Sequence, residues 1–310
     1  MEEYHIPVML QEVVDAFLPV KEDVIVDGTL GGGGHSEAIL KNFSKSRIIG
    51  IDADKDALKF SLKRLAPYAG RARIIYGNFK DIRQILHKKG IKEVGGILLD
   101  LGVSSRQLEN EKRGFSFLRN GKLDMRMDKA INRSAYDLVN SLSEFELREI
   151  LKKYGEEKWA SKIARNIVSK RSEKAIETTQ ELSQIVVDSI PAKYQSKKIH
   201  PATKTFLALR IAVNSELENL KTALREAMSV LKKGGRLCVI SYHSLEDRIV
   251  KQFLLENEKG CICPPEIVKC VCGKNRLLKR VTKKPIRASK EEIEFNPRAR
   301  SALLRIAEKV

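Results

Sequence analysis

Val24-Ile25-Val26-Asp27-Gly28-Thr29-Leu30-Gly31-Gly32-Gly33-Gly34-His35-Ser36 is the stretch that decides the fold. Three β-branched residues form a short apolar run, an acid ends it, and glycines crowd the turn. A run of this kind, bounded by glycines, reads as a buried parallel strand. A helical pattern then begins at His35 and continues to Leu40. Strand, glycine turn and helix together open a doubly wound nucleotide-binding sheet, with the ligand over the strand's carboxyl end. The glycines permit positive φ, and without Cβ atoms they let a ligand touch backbone. Two phosphate motifs fail here. The third glycine of G-x-G-x-x-G is Ser36 counted from Gly31 and Glu37 counted from Gly32, and no Lys-Ser or Lys-Thr follows as a Walker loop requires. The loop is therefore expected to cradle a nucleoside-like ligand with no phosphate held at the helix start.

Outward from this unit the pattern repeats. Tyr4 to Val20 predicts a lead-in helix, with His5 either a ligand contact or a packing residue. Arg47-Ile48-Ile49-Gly50-Ile51-Asp52 is a second buried strand ending in an acid. Asp52 lies 18 residues beyond Gly34, close to the spacing at which an acid accepts from ribose hydroxyls. Asp54 suits the N-cap of the next helix, which leaves Asp52 for the ribose. A third strand, Ala72 to Tyr76, leads into Gly77-Asn78-Phe79, where Phe79 is placed to cover an adenine ring or else joins the core. A fourth, Gly96-Ile97-Leu98-Leu99-Asp100, ends in a third acid. Carboxylates at three strand ends line one crevice, and the cost of burying them argues for a hydrogen-bonded ligand.

From about Gln107 to Pro201 helical patterns replace the strand rhythm. Ser143 with Glu146, and Thr178 with Glu181, are capping boxes. Trp159, Ile163 and Ile167 share a helix face with Ala160, Ala164 and Val168. The expected organisation is an α/β domain from residues 1–107 and 202–310, with an inserted α-helical domain over 108–201. Arg113-Gly114-Phe115-Ser116-Phe117 and Leu123-Asp124-Met125-Arg126-Met127-Asp128 lack clear periodicity and are expected to form a loop over the cleft. The sheet resumes with a helix over Ser215–Leu231 and a strand over Arg236–Ser241. A run near Ala302–Ala307 is expected to supply an edge strand.

The 310 residues carry 58 Lys and Arg against 40 Asp and Glu, a net charge of +18 and a pI near 9.6. That balance implies a polyanionic partner, here nucleic acid. Residues 269–290 hold nine Lys and Arg and no acid, a prospective phosphate-contacting surface. No apolar run approaches the roughly 18 residues of a membrane span, and Met1-Glu2-Glu3 lacks a secretory layout, so a cytoplasmic protein without a membrane partner is expected. Four of the five cysteines fall in Cys261-x-Cys263 and Cys270-x-Cys272. They could bind zinc, but the usual spacing is C-x₂₋₄-C, and the alternative is a reduced loop with no metal. Cys238 sits in an apolar strand and reads as core.

Taken together, His5-Ile6-Pro7-Val8, Asp27 to Ser36, Asp100-Leu101-Gly102-Val103-Ser104-Ser105, Arg113 to Phe117, Leu123 to Asp128, His243-Ser244-Leu245-Glu246-Asp247-Arg248 and Asn296-Pro297-Arg298-Ala299-Arg300-Ser301 closely resemble the bacterial 16S rRNA cytosine-N4 methyltransferase family. The match runs in order from residue 4 to about 308. It departs at Met9 and Tyr242, where the family more often has Leu and Phe, and at Ala53. The resemblance implies S-adenosylmethionine as cofactor, a class I methyltransferase (Rossmann-like) doubly wound sheet with an inserted helical domain, and a cytidine of the small-subunit decoding region as substrate. Carried over by position, Gly33, Gly34, His35, Asp52, Phe79, Asp100 and Gln107 would contact the cofactor.

Cytosine N4 is a poor nucleophile because its lone pair is delocalised into the ring. Asp100 is expected to hold that amine and answer the positive charge forming on it, with Ser104, Ser105 or a backbone carbonyl as further acceptors. Amino-methyltransferases often carry Asp/Asn-Pro-Pro-Tyr at this strand end, where this chain has Asp100-Leu101-Gly102-Val103. His243 is expected to accept a proton or to make a structural bond to Asp247 or the backbone. Two other functions fit the motifs without the resemblance: an amino-methyltransferase acting on DNA or protein, and a non-catalytic RNA-binding assembly factor. The sequence does not specify oligomeric state.

Overall fold

Strands β1 (Val24–Asp27), β2 (Arg47–Asp52), β3 (Ala72–Tyr76), β4 (Val94–Asp100), β5 (Leu231–Ser241), β6 (Leu278–Arg280), β7 (Ile286–Arg287) and β8 (Leu303–Lys309) form a single sheet. Its order is β3-β2-β1-β4-β5-β8-β6, with β7 also on β8. The first five are mutually parallel, while β8 runs antiparallel to β5 and to β6 and β7. The order reverses at β1, which lies between β2 and β4, so the crevice of a doubly wound sheet falls beyond the carboxyl ends of these strands. The computed structural model describes residues 6–196, 198–261, 263 and 271–310; His5, Lys269 and Cys270, named above, lie outside them.

The chain divides into two compact units, Met1–Gly102 with Leu217–Val310, and Val103–Glu216. Helices α1 (Leu10–Phe17), α2 (Gly34–Asn42), α3 (Lys55–Arg64) and α4 (Ile82–His87) accompany the first strands. Helices α5 (Ser105–Glu109), α6 (Ala135–Ser141), α7 (Glu144–Gly155), α8 (Ala160–Glu173), α9 (Thr179–Ser189) and α10 (Thr203–Asn214) form the second unit. The chain then returns through α11 (Glu216–Val230), α12 (Ser244–Glu258) and α13 (Lys290–Phe295).

In the sheet unit, strand alternation assigns each side chain to one of two cores. Ile25, Ile48, Leu98 and Ile240 pack with Val13, Val14 and Phe17 of α1 and Ile39 and Leu40 of α2. Their neighbours Val26, Ile49, Ile97, Leu99 and Val239 pack on the other face with Leu86 of α4, Leu220 and Leu224 of α11, and Val250 and Leu254 of α12. Both faces are covered, which is why β1 and β4 read as unbroken apolar runs. One expectation about the carboxyl-terminal part needs correction. Residues 303–309 supply an interior strand, because β6 pairs on its outer side. That outer strand, Leu278-Lys279-Arg280, lies inside the basic stretch, where its charges gave no apolar alternation to detect.

The helical unit has its own core, in which Phe115, Leu123 and Met125 pack with Leu147, Ile163, Ile167, Leu182 and Leu209. The boxes at Ser143/Glu146 and Thr178/Glu181 both form, and Ser134 with Asp137 makes another. Segments 113–117 and 123–128 carry no strand and no helix beyond the turn ending at Arg113, and are anchored in this core by Phe115, Leu123 and Met125. Buried Arg113 donates to the carbonyls of Arg126 and Met127, each at 3.0 Å, and Arg126 forks onto Asp124. No helix among the described residues is long and apolar enough to cross a membrane.

Candidate active site

The acids Asp27, Asp52 and Asp100 occupy the last positions of β1, β2 and β4. The turn after β1 connects them. Gly31 and Gly33 both take positive φ, +50° and +78°, which L-residues adopt with strain. The Gly31 N–H donates to Asp52 Oδ2 at 2.7 Å, and Asp52 Oδ1 accepts from the Asp54 N–H at 2.8 Å. Asp52 therefore holds the glycine turn in shape, a role the sequence did not suggest, while each oxygen keeps acceptor capacity for a further partner. Asp54 caps α3, accepting from the Asp56 N–H.

Gly34 serves packing on its Cα side. A Cβ there would lie 2.3 Å from Pro7 Cγ, so the missing side chain makes room for Pro7. The N-cap of α2 is Gly33, and no side chain caps that first turn. Uncapped N–H groups at a helix start call for water or an external acceptor such as a carboxylate.

Asp27 is 1% exposed, accepts from Ser36 Oγ at 2.7 Å and from the Thr29 N–H at 3.3 Å, and burial raises its pKa. Thr29 Oγ1 accepts from the Asp100 N–H at 2.6 Å, which fixes the end of β4 against the glycine turn. Asp100 accepts from the Tyr242 hydroxyl at 2.8 Å, and its other oxygen lies 3.7 Å from His35 Nδ1. His35 Nε2 faces the Val8 carbonyl at 2.9 Å, an acceptor only, so that nitrogen carries hydrogen. Withdrawal of water pushes Asp100 up to about 6, with His35 and Tyr242 opposing the shift and Asp27 and Glu246 adding to it. Asp52 is likewise pushed up to about 6 although its side chain keeps partial contact with solvent, because surrounding protein displaces most of its water; the N–H groups of Asp54 and Gly31 oppose the shift.

Phe79, half-buried, follows the end of β3 and packs against the core on the face shared with α11 and α12. Past β5, His243 caps α12, Nδ1 accepting from the Glu246 N–H at 3.5 Å and Nε2 lying 3.1 Å from Glu246 Oε1. Of the two structural bonds expected of His243, to Asp247 or to the backbone, the backbone one forms; the Asp247 carboxylate is held by Arg305, with two bonds of 2.7 and 3.0 Å. Ser104 and Gln107 belong to the helical unit and bond to each other. Ser104 Oγ accepts from the Gln107 N–H, and Gln107 Oε1 accepts from the Ser104 N–H, capping α5. Their carried-over roles rest on the resemblance alone. Sequence reading missed Tyr242, Thr29 and Glu246 as site groups. Glu246 is 2% exposed and accepts from the Tyr242 N–H, and only its place just after a strand end could have marked it.

The sheet unit thus combines a largely desolvated carboxylate whose pKa is pushed up to about 6, a glycine turn and an uncapped helix start beyond the carboxyl ends of its parallel strands. Residues 2–310 match the model of the MraW methylase family. A Clostridium botulinum protein named ribosomal RNA small subunit methyltransferase H is 52% identical over 312 residues, covering 100% of both chains. A Syntrophus aciditrophicus protein of the same name is 48% identical over 308 residues, 99% of this chain and 98% of its own. Among solved structures, an rRNA methylase from Streptococcus thermophilus superposes with a TM-score of 0.44 at 10% identity, covering 98% of each chain.

Proposed function

The chain belongs to the MraW methylase family, and from that premise we propose that it moves a methyl group from S-adenosylmethionine to the exocyclic N4 of a decoding-region cytidine of 16S rRNA within the small ribosomal subunit. The observation that carries the reading is Asp100, largely withdrawn from water at the end of β4 and oriented by Tyr242 beside the glycine turn.

The residues of the sheet unit fit the cofactor. The α2 start suits its carboxylate, Asp52 has acceptor capacity for a ribose, and Phe79 offers an aromatic face at the end of β3. Gly33, Gly34, His35, Asp52, Phe79, Asp100 and Gln107 are the proposed contacts, the last by resemblance only. When bound, the cofactor supplies an electrophilic methyl group on a sulfonium.

Asp100 then acts on the other reactant. With one oxygen taken by Tyr242, the carboxylate still accepts from the N4–H₂ group, which draws the amine out of conjugation and aligns it for in-line attack. Fixing that geometry lowers the barrier by several kcal/mol. The negative charge answers the positive charge that develops on N4, in a site where little water screens it. A pKa near 6 leaves Asp100 mostly ionised at neutral pH and able to hold the released proton briefly. Ser104 is a further proposed acceptor, on the resemblance alone.

Incubating the protein with tritiated cofactor and, separately, small subunits, naked rRNA, DNA and protein tests the proposal. Label on N4 of a cytidine in the small subunit is the expected result. Label in DNA or protein, or no transfer at all, would replace it with the other methyltransferase reading or the assembly-factor reading.

A further inference from the structure

Among the described residues, the segment between α12 and β6 carries three thiols that no part of the methyl-transfer chemistry uses. The Sγ atoms of Cys261, Cys263 and Cys272 all lie within 4.8 Å of one another, and those of Cys261 and Cys272 are 3.7 Å apart. A disulfide requires about 2.05 Å. Two sulfurs bound tetrahedrally to one zinc ion at ~2.3 Å stand roughly 3.8 Å apart, which matches the observed pair.

Backbone hydrogen bonds support the same arrangement. The Cys263 N–H donates to Cys261 Sγ and the Val271 N–H donates to Cys263 Sγ, each at 3.4 Å. Such N–H···S contacts orient the ligand lone pairs. Gly273, at φ +59°, turns the chain immediately after Cys272. The base of the loop is closed independently. The Leu277 N–H donates to the Asn257 carbonyl at 2.9 Å, and Glu258 pairs with both Arg276 and Arg280.

We propose that Cys261, Cys263 and Cys272 are ligands of one structural zinc ion that fixes the loop between α12 and β6. Binding converts each coordinating thiol to thiolate and releases its proton, with no change in oxidation state. The one-residue spacing within Cys261-x-Cys263 is shorter than usual, but the three sulfurs already converge without it being longer. Soft thiolates select zinc over magnesium or calcium, which prefer oxygen. The ion would set the shape of the chain just ahead of Lys274 and the basic residues that follow it.

The full-length chain, purified without a metal-binding tag in reducing buffer and supplied with zinc, should retain about one zinc per chain. Cobalt exchange should give thiolate charge-transfer and tetrahedral ligand-field bands. Cys261→Ser with Cys272→Ser should abolish both, whereas Cys238→Ala, in β5, should keep them. On the unmodified chain, added zinc should slow hydrogen exchange about tenfold or more, confined to residues 258–278. That measurement needs no variant to fold. Substoichiometric zinc, metal retained by the double variant, iron in place of zinc, unchanged exchange, or a Cys261–Cys272 disulfide in freshly isolated protein would each overturn the assignment.

Discussion

The Tyr242 hydroxyl donates to Asp100 Oδ1 at 2.8 Å, tying the residue after β5 to the last residue of β4. The bond stabilises the charged carboxylate and opposes the rise that burial causes. Methyl transfer should therefore show an acid limb near pH 6, where Asp100 takes up its proton. Tyr242→Phe removes the donor and should move that limb upward by about 1–2 pH units, the equivalent of a charged hydrogen bond. The rate on the alkaline plateau should change little. A single-turnover pH profile of both proteins measures the shift, and coincident profiles would remove Tyr242 from the site's electrostatics.

Asp100→Asn should separate stability from catalysis. The folded carboxyl takes its proton near 6, against 3.8 for the unfolded chain. Between those values the folded state holds the extra proton, so this group's contribution to stability falls as pH rises through about 4 to 6 and stays lost above. An uncharged Asn avoids that loss. At pH 7.5 the variant should be more stable by on the order of 1–3 kcal/mol, less whatever its poorer hydrogen bonds cost, and the advantage should vanish near pH 4. Single-turnover methyl transfer should meanwhile fall by on the order of 10²–10³, with cofactor affinity changing much less. Recovery of the full rate at saturating cofactor would instead make Asp100 an anchor for the cofactor.

Asp52→Ala should weaken cofactor binding roughly 10- to 150-fold, the loss of a charged hydrogen bond worth ~1.5–3 kcal/mol. It also strips the acceptor from the Gly31 N–H, so hydrogen exchange at the glycine turn should quicken even without ligand. Titration calorimetry reads the first effect. Unchanged affinity with a loosened turn would leave Asp52 a structural acid only.

The basic stretch divides by partner. Arg280 is committed to Glu258, whereas Lys279, Lys283 and Lys284 are exposed. Replacing these three lysines with glutamine should weaken RNA binding across sequences. The log–log salt slope should become shallower by about 0.7–0.9 for every phosphate that the lysines no longer neutralise. Arg280→Gln should chiefly destabilise β6. Filter binding at several salt concentrations, beside a melting curve, distinguishes the two, and an unchanged slope for the lysine variant would make this stretch merely a solvated surface.

What was legible from the residues follows from what was apolar. β1, β2 and β4 are buried on both faces, so their runs are unbroken and each ends in an acid visible by eye. The capping boxes at Ser143 and Thr178 declare themselves because capping is local in sequence. β6 could not be found, since Leu278-Lys279-Arg280 looks like solvated charge until β8 is beside it. Tyr242 read only as a departure from the related pattern, because its partner Asp100 lies 142 residues earlier. Arg113 looked like loop for a similar reason: it is satisfied by carbonyls, which have no signature in side-chain chemistry.

The position of β4 also bears on how the protein is made. β4 pairs with β1 on one side and with β5 on the other, and β5 begins only at Leu231. At about 5–20 residues per second, a ribosome needs roughly 7–26 seconds to extend the nascent chain from Asp100 to Leu231. Throughout that interval an apolar strand presents an open edge, the kind of surface on which nascent chains associate wrongly. The helical unit, having its own core, can fold while the half-sheet waits. The open β4 edge is thus a hazard of synthesis in particular, since in refolding of the complete chain β5 is present from the start.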